Sequence, residues 1–483
     1  MVATILIALV LLIVAAVLLR ALATPKAKPR SEPLPESALE ETAGVENELA
    51  AAVRHATVSS NEPGAEDEAT FAAFKEELKR LFPRVHEGLE RHEIGDRSLV
   101  FVWKGSRPEL KPVILCAHFD VVPAEDAALW RHQPFSGDLA EGAVWGRGTQ
   151  DIKLMLVSSL DAAERLLAEG KAPERTVYFA FGGDEEVGGA RGAGRIGAWL
   201  EERGVAASFL LDEGGPVSDG SLPFADRPVA LIGIAEKGYA DISLEAEGKG
   251  GHASMPPART TSGNLSRAIV AIEARPDRAR LGYTVRNFLD RLSPYVGFGY
   301  RVLFRNLWIT APLVKAAFKK GPSTNAMLRT TAAPTMLRGS PKENVLADRA
   351  WANVNMRILP GQTVAENIER ISRLVAKTGV KVSVKHPEQL VEPLPESPVE
   401  HEGFRAIESA IGEAFPEAAV LPFLLSGGTD TKHYRKVTEA MYRFCPVRAT
   451  PEDLEGIHGR DERIGVSNLR RCALFYKRLL ASL

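Results

Sequence analysis

The chain has 483 residues, more than one hydrophobic core usually organises, so two domains are expected. A net charge of −2 excludes the basic footprint of a nucleic-acid binder, and 45% hydrophobic with 25% charged residues excludes a disordered chain. Cys116, Cys445 and Cys472 are an odd, widely spaced set, which excludes a disulfide framework and a thiolate zinc site.

Val2 to Leu19 is apolar apart from Thr4 and just long enough to cross a bilayer with little tilt. No basic residue precedes it, while Arg20, Lys26, Lys28 and Arg30 follow. That bias is the reverse of a secretory signal, although Ala21-Leu22-Ala23 resembles a cleavage site. Residues 1–20 read as a transmembrane anchor or a signal segment. The protein is then membrane-associated, or secreted or periplasmic where the segment is cleaved. The basic flank favours a cytoplasmic body, a bias that large domains override. Residues 21–60 read as a linker, because the stretch to Gly44 is rich in Pro, Glu, Ala and Lys.

Residues 66–82 predict an amphipathic helix carrying Phe71, Phe74, Leu78 and Leu81 on one face. Strands follow at Leu99–Trp103, Val113–Ala117, Val177–Phe181 and Phe209–Leu211, alternating with helices at Leu154–Leu167 and Ala190–Glu202. This alternation predicts an α/β domain, a mixed sheet with helices on both faces, over residues 61–238. From Gly238 the texture changes. Strands at Ala240–Ala246, Trp351–Ile358 and Val380–Lys385 and helices at Asn264–Glu273 and Thr363–Lys377 predict an inserted α+β ferredoxin-like unit, residues 239–388. Thr363 and Glu366 have capping-box spacing. The first pattern resumes over 389–483, with helices Val399–Phe415 and Val466–Leu480 and strands Val420–Leu425 and Ala440–Phe444.

The chemistry-bearing residues sit at ends of these elements. His118 and Asp120 follow an apolar strand, spaced as a metal ligand and its orienting partner. Asp151 precedes a helix, where an ordinary N-cap is the alternative. Asp184-Glu185-Glu186 ends a central strand. Such a run is usually surface charge, but at a buried strand end it needs a cation. Asp212-Glu213 repeats the arrangement, and His458 lies between glycines in a loop. Together they are a sulfur-free donor set for two zinc ions, which Co2+ or Mn2+ also fits.

In order and spacing these residues resemble the zinc peptidase family that includes carboxypeptidase S, the aminoacylases and glutamate carboxypeptidase. The motifs are HxDVVP from His118, Trp130 with Pro134-Phe135, GRGxxDxK from Gly146, the triplet ending at Glu186, GGHASMPP from Gly250 and GGTDTK from Gly427. The resemblance implies a zinc-peptidase catalytic domain interrupted by a lid and dimerisation domain. It implies that His118, Asp151 and Asp212 bind one zinc and that Asp151, Glu186 and His458 bind the other. Asp212 rather than Glu213 is expected from its spacing to Glu186. Asp120 would orient His118, and Glu185 would be the general base. His252 would be the lid histidine that polarises the substrate carbonyl, supplied by the partner chain in dimeric relatives. Arg357 and Asn344, with Gly427, Gly428 and Thr429, would hold the substrate carboxylate.

The sequence is most similar to the branch of carboxypeptidase S and the N-fatty-acyl-amino-acid synthase/hydrolases. That implies cleavage of N-acyl amino acids, with fatty-acylated ones the expected substrates and synthesis as the reverse reaction. A carboxypeptidase or dipeptidase acting on short peptides is the alternative. A non-catalytic membrane scaffold would be expected to lack Glu185 or a ligand, and none is missing. An apolar insertion at 278–320, from Phe288 and Leu289 to Trp308, Ile309 and Phe318, is either core and dimer interface or an apolar groove or membrane-facing surface for a lipid chain, which would add a membrane contact to that of the N-terminal segment.

Overall fold

The computed structural model describes residues 1–483 except 26, 28–30, 221, 223 and 224. Lys26, Lys28 and Arg30 of the basic flank lie outside the described residues. Helix α1, Val2–Leu22, is the one helix among the described residues that is long and apolar enough to cross a membrane.

The linker is shorter than expected. A 3₁₀ turn at Glu36–Thr42 leads into α2, Val45–Val53, and Leu39, Val45, Leu49, Ala52 and Val53 are fully buried in the main core. Glu46, Asn47 and Glu48 interrupt its apolar residues, so that the stretch continues the Glu- and Ala-rich composition before Gly44 and reads as more linker. Helix α3, Glu68–Leu81, matches its prediction and is capped by the Asp67 carboxylate.

The catalytic sheet takes β1 Glu90–His92, β2 Ser98–Trp103, β3 Val113–His118, β4 Val177–Gly182, β5 Phe209–Ser218 and β6 Val229–Glu236 from the first half of the chain. The strands β7 Gly238–Glu247, β8 Thr331–Arg338, β9 Arg349–Ile358 and β10 Lys381–Val384 form a separate sheet. The chain then returns with β11 Ala419–Leu425 and β12 Met441–Ala449. The large sheet has the order β1-β2-β4-β3-β5-β12-β6-β11, mixed parallel and antiparallel. Two strands differ from expectation. β5 runs on to Ser218 rather than stopping at Leu211. β6 was not expected, because Gly233 interrupts its apolar run; in the sheet a Cβ there would meet Leu425 and Arg443.

Helices cover both faces. On one, α2, α3, α4 (Lys153–Ala168), α12 (Glu402–Ala414) and α13 (Val466–Ala481) bury a continuous core that includes Leu160, Phe179, Leu211 and Phe475. On the other, Ile196 and Leu200 of α5 (Ala193–Glu202) pack on Ile114, Cys116 and Leu210. Phe179 is fully buried, so Phe179→Ala should cost about 3–5 kcal/mol.

The smaller sheet is antiparallel, order β8-β9-β7-β10, with α6 (Thr261–Glu273) and α11 (Val364–Val375) against it. In chain order this is strand–helix–strand–strand–helix–strand. Thr363 and Glu366 do form the capping box. The insertion behaves differently. Helices α7 (Tyr283–Leu292), α8 (Phe298–Arg305), α9 (Leu307–Phe318) and α10 (Pro322–Leu328) pack on the edge of the large sheet, not on the small one. Val285, Leu289 and Leu292 are buried against Leu421 and Leu424 of β11.

Candidate metal centre

The chemistry gathers where β3, β4 and β5 deliver side chains to one end of the sheet, as expected for an α/β fold. His118, the last residue of β3, is almost fully buried. Its Nε2 lies 3.1 Å from Asp151 Oδ1 and 3.6 Å from Glu213 Oε1. His458 Nε2 lies 3.1 Å from Asp151 Oδ2 and 3.2 Å from Glu186 Oε1. The two oxygens of Asp151 thus face two imidazoles, and the two clusters share that carboxylate.

Asp212 belongs to neither cluster, which corrects the expectation. Because β5 continues through this dipeptide, adjacent side chains point to opposite sides. Glu213 faces His118, whereas Asp212 turns inward, fully buried, with Oδ1 accepting from the Glu213 N–H at 2.9 Å. Burial pushes the Asp212 carboxyl up to about 6.

The surrounding groups fix these ligands. Asp120 is fully buried and its carboxylate accepts from Ser59 Oγ at 2.6 Å and from the N–H groups of Glu185 and Glu186 at 3.0 and 3.1 Å. Its Oδ1 is 3.3 Å from His118 Nδ1, and its own carbonyl is 3.1 Å from the same nitrogen. One carboxylate therefore orients the imidazole and the acidic turn together. His458 holds its ring with a left-handed backbone, φ 58°, tolerated at a cost of about 1–3 kcal/mol.

Sequence reasoning missed two buried carboxylates. Glu462 accepts from the N–H groups of Gly148, Gln150 and Asp151 and from Arg147 Nη1 at 2.7 Å, so it shapes the loop presenting Asp151. Glu236 accepts from Thr429 N and Oγ1, Thr431 Oγ1 and Arg443 Nε, and fixes the loop after β11. Glu462 stands in a run of mixed charge, Arg460-Asp461-Glu462-Arg463, which reads as a solvated loop. Glu462→Ala should destabilise the fold by about 3–5 kcal/mol, since Arg147 is left charged and buried; the denaturant midpoint measures it.

Arg357, on β9, donates to the Ser426 carbonyl at 3.3 Å and lies 4.8 Å over the Tyr239 ring. The structure therefore brings Arg357 beside the Gly427–Thr429 loop. It does not bring His252 and Asn344 to the clusters. Both are exposed on a small ribbon, Gly251–His252 paired with Val345–Leu346, and neither lines the cleft beside the metal ligands. That cleft has a volume of about 430 Å³. Asp151, Glu185, Glu186, Glu213 and His458 line one end; Met327, Phe423 and Leu425 supply apolar wall.

The donor chemistry fits a pair of zinc ions. Around a tetrahedral ion with ~2.0–2.1 Å bonds, ligand atoms stand about 3.3 Å apart, close to the spacings above. Electrostatics point the same way. Burial opposes charge on His118, but Glu213, Asp120 and Asp151 outweigh it and hold the imidazole well above its ordinary value. Hydrogen bonds to Asp151 and Glu186 push His458 up to about 10. Burial drives Glu213 well above the carboxylate range, and the charge of Asp151 adds to it. The cluster retains protons that a dication displaces, so metal binding should release protons. Zinc affinity should rise about tenfold per pH unit for each proton displaced, below the raised value of His458. Chelator competition across pH measures this.

The sequence matches the family described as Peptidase family M20/M25/M40 over residues 114–482. It is 37% identical over 436 residues to a probable carboxypeptidase S-like 2 of Dictyostelium discoideum, covering 89% of this chain and 83% of that protein. It is 37% identical over 442 residues to the N-fatty-acyl-amino acid synthase/hydrolase PM20D1 of Mus musculus, covering 90% of this chain and 87% of that one. The fold is similar to an M20 family metallo-carboxypeptidase of Sulfolobus solfataricus, TM-score 0.65 at 16% identity, covering 91% of this chain and 98% of that chain. With two His–carboxylate clusters joined by Asp151, the chain belongs to peptidase family M20/M25/M40 and is a zinc-dependent metallohydrolase with a candidate dinuclear site.

Proposed function

We propose that the enzyme hydrolyses the amide bond between a fatty acyl group and an amino acid with a free carboxylate. His118, Asp151 and Glu213 would hold one zinc, and Asp151, Glu186 and His458 the other. The observation that carries this reading is the shared-carboxylate pair of clusters at one end of a cleft with an apolar wall. Bound zinc ions supply Lewis-acid polarisation of a carbonyl and a water acidified towards neutral pH.

Glu185 lines the cleft beside Glu186 but joins neither cluster. Burial pushes its carboxyl up to about 8, and the negative charges nearby add to that. Beside two bound dications Glu185 would be ionised, and its carboxylate would accept a proton from water and return it to the leaving nitrogen. Arg357 and the Gly427–Thr429 backbone hold the substrate carboxylate. A lysine cannot reproduce the planar fork, so Arg357→Lys should raise KM roughly tenfold with a smaller effect on kcat. Steady-state kinetics distinguish the two.

The α+β unit around β7–β10 acts as the lid, and His252 and Asn344 reach a cleft only when it closes or when a second copy supplies them. Exposed Met336 and Leu337 on edge strand β8 support pairing of two copies there. Helix α1 anchors the enzyme to a membrane. The relative named carboxypeptidase S-like supports a second reading, cleavage of short peptides. Incubation of zinc-loaded enzyme with N-oleoyl-phenylalanine and with dipeptides, read by mass spectrometry, separates them. Faster release of phenylalanine from the acyl substrate is expected; turnover of dipeptides alone would favour the second reading.

A further inference from the structure

Helix α1 has 21 residues, a rise of about 31 Å, so nearly all of it is needed to cross a hydrocarbon core of ~30 Å. Its last turns are not free. Ile13 and Val17 are half-buried and Ala21 fully buried, one face at a spacing of four, and α1 packs against α8. Asn306, fully buried between α8 and α9, donates to the Val17 carbonyl at 3.1 Å. Val17 precedes the end of α1 by five residues, roughly 7 Å along the axis. On the reading that α1 crosses a bilayer, whatever packs on Val17 lies below the bilayer surface.

Helix α9 is suited to that position. Thr310, Val314 and Phe318 form its buried face. Its outward face carries Trp308, Ile309 and Leu313, exposed by 56%, 44% and 63%. A helix facing water is polar on that side. The charge pattern is an independent observation: no Asp or Glu occurs between Asp290 and Glu343, while Lys315, Lys319 and Lys320 close α9. Lysines at the border of an apolar helix extend towards headgroups, and anionic lipids attract them.

We propose that α8 and α9 are a docking element that sinks into one leaflet beside α1. The outward face of α9 is covered by phospholipid tails, and Lys315, Lys319 and Lys320 meet anionic headgroups. The depth of about 7 Å matches the 5–10 Å typical of interfacial helices. Helix α9 leads into α10, whose Ser323 and Met327 line the metal cleft. Docking therefore ties one wall of the cleft to the leaflet through α10. The docking does not depend on the hydrolytic reading, and its test reads no turnover.

The full-length protein is reconstituted into phosphatidylcholine vesicles containing phosphatidylserine, with or without brominated acyl tails, and Trp308 emission is taken as the difference between wild type and W308F. Bromine should quench that difference emission at least about two-fold. Trp308 emission equal in the two kinds of vesicle would overturn the proposal. Leu313→Cys provides a second measurement. Disulfide-linked copies forming in the vesicles would assign this face to self-association and also overturn it; a cysteine reached by a membrane-soluble maleimide but not by a charged one would support it. Omitting phosphatidylserine should reduce the quenching, and unchanged quenching would remove the headgroup contacts of the lysines.

Discussion

Glu185→Gln should retain both zinc ions and lower kcat roughly 10²–10⁴-fold, the usual contribution of a positioned acid–base group. The substitution keeps the shape of the side chain and removes its ability to take a proton. Since Glu185 donates no atom to either cluster, metal analysis should still find two zinc ions per chain. Stability gives a readout independent of turnover. In the zinc-free protein burial raises the Glu185 carboxyl to about 8, so the folded state binds a proton that the unfolded chain has lost. Its contribution to stability is complete below the ordinary carboxylate value and declines as pH rises through the window between that value and about 8. Glutamine does not titrate, so the zinc-free variant should lose less stability than wild type across that window. Thermal unfolding at several pH values checks it. Wild-type kcat in the variant would remove Glu185 from the mechanism.

The legibility of the fold followed side-chain periodicity. β3, β4 and the capped helix α11 stand out because long apolar or alternating runs end at recognisable turn and cap residues. Helix α2 did not, because Glu46, Asn47 and Glu48 interrupt its short apolar stretch directly after the Pro- and Glu-rich segment. The site was readable as a set of residue types, and the error at Asp212 came from choosing by spacing to Glu186. Alternation along β5 says only that one of the pair faces the metal; the contact that turns Glu213 towards His118 is long-range and leaves no mark on the local sequence. Glu462 and Glu236 were invisible for another reason. Each is defined by donors brought from distant segments, such as Gly148 and Asp151 to Glu462, and no local pattern marks a carboxylate as a hub of that kind. In the insertion one face of α9 is core, as one of the two readings expects, and the other face is exposed.

Asp151→Asn should weaken both metal sites at once, which no other single ligand substitution is expected to do. Each carboxylate oxygen faces a different imidazole, at 3.1 Å in both cases. An asparagine keeps one oxygen, lacks the charge and presents an NH2 group to the second cluster, where it cannot coordinate. Substituting groups that merely orient ligands costs 10–100-fold in affinity, and loss of a shared ligand should exceed this. Zinc content after dialysis should therefore fall below two per chain, and each tenfold loss of affinity should remove about 1.4 kcal/mol of zinc-dependent stabilisation. Two neighbours make the result specific. Glu213→Gln should lose the ion beside His118 and retain the other, because Glu213 belongs to one cluster alone. Asp212→Asn should retain both, since its carboxylate turns away from the ligands and caps the Glu213 N–H. Zinc loss in Asp212→Asn combined with full retention in Glu213→Gln would restore Asp212 as the ligand and overturn the assignment drawn from β5.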